Sequence, residues 1–93
     1  MTVDNKNIVK ISKALADENR YNIFKTISDE KEIVCKEITN RFNLSQPTIS
    51  HHLKVLLESG LINVRKEGQW GYFSVNHSVL NEYLVSFNKL VQV

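Results

Sequence analysis

Apolar residues recur along the chain at two periods, and the change from one to the other divides it into elements. Ile8, Ile11, Ala14 and Leu15 fall at helical spacing behind Asp4, whose carboxylate can cap the free N–H groups of a first helix. Asp17 opens a second helix carrying Tyr21, Ile23, Phe24 and Ile27, and the charged stretch Ser28-Asp29-Glu30-Lys31-Glu32 closes it into a solvated loop. Ile33, Val34, Ile38 and Phe42 predict a short third helix, and Asn43-Leu44 a tight connection. A fourth helix starts at Ser45, a good N-cap, with Pro47 in the first turn, where its missing donor costs nothing. Gly60 supplies the left-handed stop. The period then falls to two. Ile62 and Val64, then Phe73 and Val75, alternate with polar partners around the turn Lys66-Glu67-Gly68-Gln69, which predicts a two-stranded hairpin. Leu80, Tyr83, Leu84, Phe87, Leu90 and Val91 restore helical spacing in a last helix whose only charges are Glu82 and Lys89.

The fourth helix has two unlike faces. Ile49, Leu53, Leu56 and Leu57 gather on one side, while Pro47, Ser50, His51 and Lys54 point the other way. Helix starts usually carry carboxylates, which favour the positive end of the helix dipole. Here the first two turns hold hydroxyls, an amide and imidazoles, groups that approach phosphates and base edges without repulsion. The expected fold is mainly α with a two-stranded β wing: a winged helix-turn-helix of about five helices in one domain, residues 1–93. Within it the helix-turn-helix occupies 33–59, the wing 62–75, and the terminal helices 4–16 and 77–92.

Ninety-three residues make a small domain, which buries only about 60–65% of the surface its unfolded chain exposes. The last helix is too apolar for a free surface element, so it packs either on its own subunit's core or on a second subunit. The small size of the domain and the leftover apolar stripe of the first helix favour dimerisation through both terminal helices, with Ile8, Ile11, Leu15, Leu80, Tyr83, Leu84, Phe87, Leu90 and Val91 as the interface. A net charge of +2 is too small to imply nucleic acid by itself, so charge placement carries that inference. No apolar run approaches the roughly 20 residues of a membrane helix, and the start Met1-Thr2-Val3-Asp4-Asn5-Lys6 lacks a signal peptide's apolar core. A cytoplasmic protein without a membrane partner is expected. The single cysteine, Cys35, excludes an intrachain disulfide.

The expected DNA-binding set is Ser45, Gln46, Pro47, Thr48, Ser50, His51 and Lys54 on the fourth helix, Lys36 before it, and Arg65, Lys66 and Gln69 on the wing. Gln46 can pair bidentately with adenine, and Thr48 can meet a thymine methyl or a base acceptor. Ser50 and His51 reach phosphate or bases from the same face. Lys36, Lys54, Arg65 and Lys66 are phosphate partners, although a hairpin with such residues also serves as an ordinary solvated turn. His52 lies on the side of Ile49 and Leu56 and reads as a hydrogen-bonded packing residue, and Trp70 as packing under the wing, with stacking on a sugar as the alternative. Cys35 reads as a small half-buried residue, with a thiol sensor as the alternative. No phosphate loop and no Ser, His and acid set suggests catalysis.

These residues resemble the ArsR/SmtB family of bacterial winged-helix repressors. The resemblance runs from Leu15-Ala16-Asp17-Glu18-Asn19-Arg20 through Ser45-Gln46-Pro47-Thr48-Ile49-Ser50-His51-His52-Leu53 and Gly60-Leu61-Ile62 to Arg65-Lys66-Glu67-Gly68-Gln69 and Tyr72-Phe73-Ser74-Val75. It implies a homodimer that binds a promoter's inverted repeat and releases it on a chemical signal. Many members sense metal through a Cys-Val-Cys-Asp stretch in the third helix, whose cysteine positions fall here on Val34 and Lys36. A second family site, in the last helix, falls on His77, Val79, Leu90 and Val93, of which only His77 can coordinate. Neither metal site is expected, nor any cofactor. The reading is a DNA-binding repressor, not an enzyme, with double-stranded DNA and a second copy of itself as partners and with its effector or protein antagonist left open. The rival is a winged-helix module that binds protein and holds no DNA.

Overall fold

Four of the five helix starts are fixed by a side-chain acceptor placed just ahead of them; the third, behind Val34, has none. Asp4 Oδ1 accepts from the Asn7 N–H at 2.9 Å, Asp17 Oδ1 from the Arg20 N–H at 2.9 Å, and Ser45 Oγ from the Thr48 N–H at 3.3 Å. The computed structural model describes residues 4–91. In order they form α1 (Asn5–Ala14), α2 (Glu18–Ser28), β1 (Ile33–Val34), α3 (Cys35–Arg41), α4 (Gln46–Ser59), β2 (Ile62–Glu67), β3 (Trp70–Val75) and α5 (His77–Val91). Asn76 caps α5, its Oδ1 accepting from the Val79 N–H at 3.2 Å. Gly60 ends α4 at φ +85°, the left-handed conformation that a residue with a Cβ resists. The polar start at 1–3, residue 92 of the expected last helix and the metal position at Val93 lie outside the described residues.

Two expectations about elements change. Ile33 and Val34 do not begin the third helix; they form β1, which pairs antiparallel with β3 as Ile33 with Phe73 and Val34 with Tyr72. The sheet is therefore three-stranded, in the order β1-β3-β2, rather than a two-stranded wing. A strand of two residues has no period to detect. It exists because the free edge of β3 offers unpaired N–H and C=O groups that this extended β-branched pair can satisfy. The first helix also stops at Ala14, two residues short of the expected end.

The core is one cluster in which Ile11 and Ala14 of α1, Ile23, Phe24 and Ile27 of α2, Ile38 of α3 and Ile49, Leu53 and Leu56 of α4 meet Ile62, Phe73 and Val75 of the sheet. Ile11, expected at a dimer interface, is 1% exposed inside this cluster, because α1 lays that side of its stripe on α4. It leaves the set available to a second subunit. Leu15, Leu80 and Tyr83 are half-buried against the same core. Leu84, Phe87, Leu90 and Val91 stay exposed, joined by Val9 and Val85, and no residue of α5 is buried. Ser12 Oγ and the Tyr83 hydroxyl, 2.8 Å apart, tie α1 to α5.

Candidate nucleic-acid interface

Three apolar residues hold α4 against the body: Ile49, Leu53 and Leu56 are all buried. Gln46, Pro47, Thr48, Ser50, His51 and Lys54 are consequently exposed along the outer side of its first turns, as the two-faced pattern requires. The Ser45 and Thr48 hydroxyls lie 2.8 Å apart and hold each other beside the helix start. His52 packs inward, 7% exposed, with Nδ1 3.3 Å from Arg20 Nη1. Burial pushes its imidazole below the usual histidine pKa; Asp17 opposes that shift, while the charges of Arg20 and His51 add to it. The same Arg20 donates through Nε to the Ala14 carbonyl at 2.6 Å and through Nη2 to the Lys13 carbonyl at 3.2 Å. It thus closes the open end of α1 while bracing α4.

Between α3, α4 and the wing lies a cleft of about 400 Å³. Leu53, Leu57 and Phe73 are at its base, and Gln46, Ser50, Lys36, Lys54, Lys66 and Gln69 also line it, with no carboxylate among the lining residues. The wing reaches this cleft through strand alternation: Ile62, Val64 and Lys66 share one face of β2, while Arg65 and Glu67 take the other. Gly71 stands opposite Lys66 in the register, where a Cβ would come within 3.3 Å of Val64.

Two wing residues depart from expectation. Trp70 does not pack under the wing but is 46% exposed at the cleft beside Lys36 and Gln46, because the register puts it at the hairpin end, beyond the core contacts of Phe73 and Val75. Arg65 does not join the basic cleft. It sits on the opposite face, donating from Nε and Nη2 to the two carboxylate oxygens of Glu32 at 2.9 Å each, with Glu67 as a further partner. Its guanidinium lies 4.5 Å from the Tyr72 ring centroid. The Glu32 carboxyl is held below its usual pKa by Arg65, whose own pKa is raised by Glu32 and then Glu67. Charge and composition do not separate Arg65 from Lys66. Strand alternation does, and the unforeseen β1 then brings Glu32 within reach of the face that Arg65 takes.

A family model described as a helix-turn-helix domain matches residues 15–65. The arsenical resistance operon repressor of Staphylococcus aureus is 32% identical over 83 residues, which cover 89% of this chain and 79% of that protein. The chain belongs to the ArsR/SmtB family of winged helix-turn-helix transcriptional regulators. HlyU from Vibrio cholerae N16961, a relative of solved structure, is 31% identical and superposes with a TM-score of 0.73 over 91% of this chain and 94% of its own. An ArsR-like regulator from Rhodococcus sp. RHA1 shares the fold at a TM-score of 0.85 and 21% identity, over 94% of this chain and 81% of its own. Within this ArsR/SmtB chain the first familiar metal position, Val34, lies in β1 and the second, Lys36, lines the cleft. Cys35 between them is half-buried at the start of α3, with Sγ 4.0 Å from Thr39 Oγ1. Of the last-helix positions, His77, Val79 and Leu90 lie on α5. Among the described residues no three His, Cys, Asp or Glu side chains group to hold a metal ion, and no helix is long and apolar enough to cross a membrane.

Proposed function

We propose that this ArsR-family chain is a homodimeric repressor that enters successive major grooves with the start of α4 and seats the phosphate backbone across the cleft between α4 and the wing. The observation that carries the reading is the convergence of Lys36, Lys54 and Lys66 on a carboxylate-free cleft beside Gln46 and Ser50. Phosphate contacts of this kind position the protein, and the amide and hydroxyls at the helix start read base edges. The exposed stripe Leu84, Phe87, Leu90 and Val91 on α5, together with Val9 on α1, supports closure by a second copy. Two copies then present their α4 helices about 34 Å apart, one turn of DNA, to an imperfect palindrome. The protein works where the promoter is, in the cytoplasm, and carries out no catalysis. Its release signal runs through neither familiar metal site, since Val34, Lys36, Val79 and Leu90 have no metal-binding side chain.

A gel-shift against genomic fragments at about physiological salt tests this reading. Saturable retention of particular fragments, with affinity in the range of about 10⁻⁸ M or tighter, is expected. Absence of retention below micromolar protein would favour the protein-binding rival.

A further inference from the structure

The wing holds a charged cluster that faces away from the DNA cleft. Arg65 belongs to β2, one edge of the sheet; the register sets it opposite Tyr72 of β3, which in turn stands opposite Val34 of β1, the other edge. The guanidinium crosses Tyr72 and closes two 2.9 Å bonds on Glu32, the residue just ahead of β1. One side chain therefore spans all three strands. Beyond Val64 and Phe73 the hairpin has left the core, and a two-stranded ribbon is only marginally stable by itself. Glu32 is continuous through β1 with α3, so the bond links the hairpin to the helix that precedes α4.

We propose that Arg65 is a positioning residue for DNA binding: strapped to Glu32 across Tyr72, it sets the angle of the wing against α3 and α4 and makes no phosphate contact. The inference rests on the DNA-binding reading above. An isolated surface ion pair contributes little, but a bidentate arginine–carboxylate pair stacked on an aromatic ring fixes direction as well as distance. Release of Arg65 to a phosphate would also take it from Glu32 and Glu67 across a face that includes Glu30 and Glu37, four carboxylates against Arg65 and Arg41. That surface repels DNA.

Fluorescence anisotropy on a mixed-sequence duplex of about 30 base pairs, about three helical turns, titrated over a series of salt concentrations, distinguishes strap from contact. Glu32→Ala and Arg65→Ala are each expected to weaken binding about three- to tenfold with the salt slope unchanged, whereas Lys66→Ala lowers the slope by about 0.9. Glu67→Ala, which removes the same charge as Glu32→Ala without cutting the strap, leaves binding within about twofold of wild type or tightens it slightly. The charge-swapped double variant Glu32→Arg with Arg65→Glu restores most of the affinity, although residue 65 is then acidic. Amide hydrogen exchange without DNA is expected to quicken in β2 and β3 for both single strap variants and to return in the swap. Tighter binding by Glu32→Ala than by Glu67→Ala, a slope lowered by about 0.9 in Arg65→Ala, or unchanged wing exchange would each overturn the proposal. Wild-type protein that binds no duplex at any salt would sink the DNA-binding reading instead, and the exchange measurement would still decide whether the strap holds the wing.

Discussion

Arg65 and Lys66 are neighbours in the chain, equal in charge and both exposed, yet they belong to different surfaces. Lys66 joins Lys36 and Lys54 around a cleft lined by no carboxylate; Arg65 lies on the reverse of the same ribbon, bound to Glu32 and Glu67 and stacked on Tyr72. Strand alternation alone separates them. Charge on a wing therefore carries functional meaning only once the face is known: a lysine on the carboxylate-free cleft beside α4 is open to a phosphate, whereas an arginine held by two carboxylates must first give them up.

The largest test of this contrast removes the basic face altogether. Combining Lys36→Ala, Lys54→Ala and Lys66→Ala is expected to lower the salt slope by about 2.7 and the affinity by about a hundredfold or more, read by anisotropy titration. Loss of a single charge from the reverse face, at Arg65, is expected to leave the slope in place, where each lysine lowers it by about 0.9. Phe87→Asp leaves both wing faces intact and puts a charge on the apolar stripe of α5. Sedimentation should show monomers, and affinity for a palindromic site should fall towards that for a single half-site. Gln46→Ala sharpens the division inside the basic face, between seating and reading. It should cost about 1–3 kcal/mol on the preferred sequence while leaving binding to mixed sequence unchanged, and an equal loss on both would remove direct readout from that residue. Ser45→Ala acts beneath the face: loss of its cap should lower stability by about 1 kcal/mol in denaturant unfolding.

The smallest effect concerns pH. His52 has its pKa lowered from 6.5, chiefly by burial, so the unfolded chain takes up a proton on it at a higher pH than the folded chain does. Its contribution to stability is complete above about pH 6.5 and declines as the pH falls from there through the folded pKa. Melting temperatures measured across that window should fall on the acid side, and His52→Asn should flatten the decline. A decline of equal size in that variant would move the cause elsewhere.

Much of the outward surface of α4 was legible in the sequence. Asp4, Asp17 and Ser45 act as caps, Gly60 stops α4, and Ile49, Leu53 and Leu56 turn inward so that Gln46, Ser50 and Lys54 look out. These are local properties: a cap bonds three residues away and a stripe repeats every third or fourth residue, so their partners sit within one helix. His52 was also legible, because its side of the helix is set by that period. Trp70 was not, since its exposure depends on where the hairpin outruns the core, and Ile11 was not, since an apolar stripe says that something covers it without saying what.

The sequence by itself determined the five helices, the hairpin, the family and the outward face of α4, because periodicity and capping act over a turn or two. Only the tertiary structure decided that Ile33 and Val34 are a strand, that Glu32 stands within reach of Arg65, and that three lysines from α3, α4 and β2 share one cleft. Glu32 and Arg65 are 33 positions apart, and no local rule couples residues at such separation. Their meeting follows from how β1 closes the edge of β3, and with it the face that Arg65 presents.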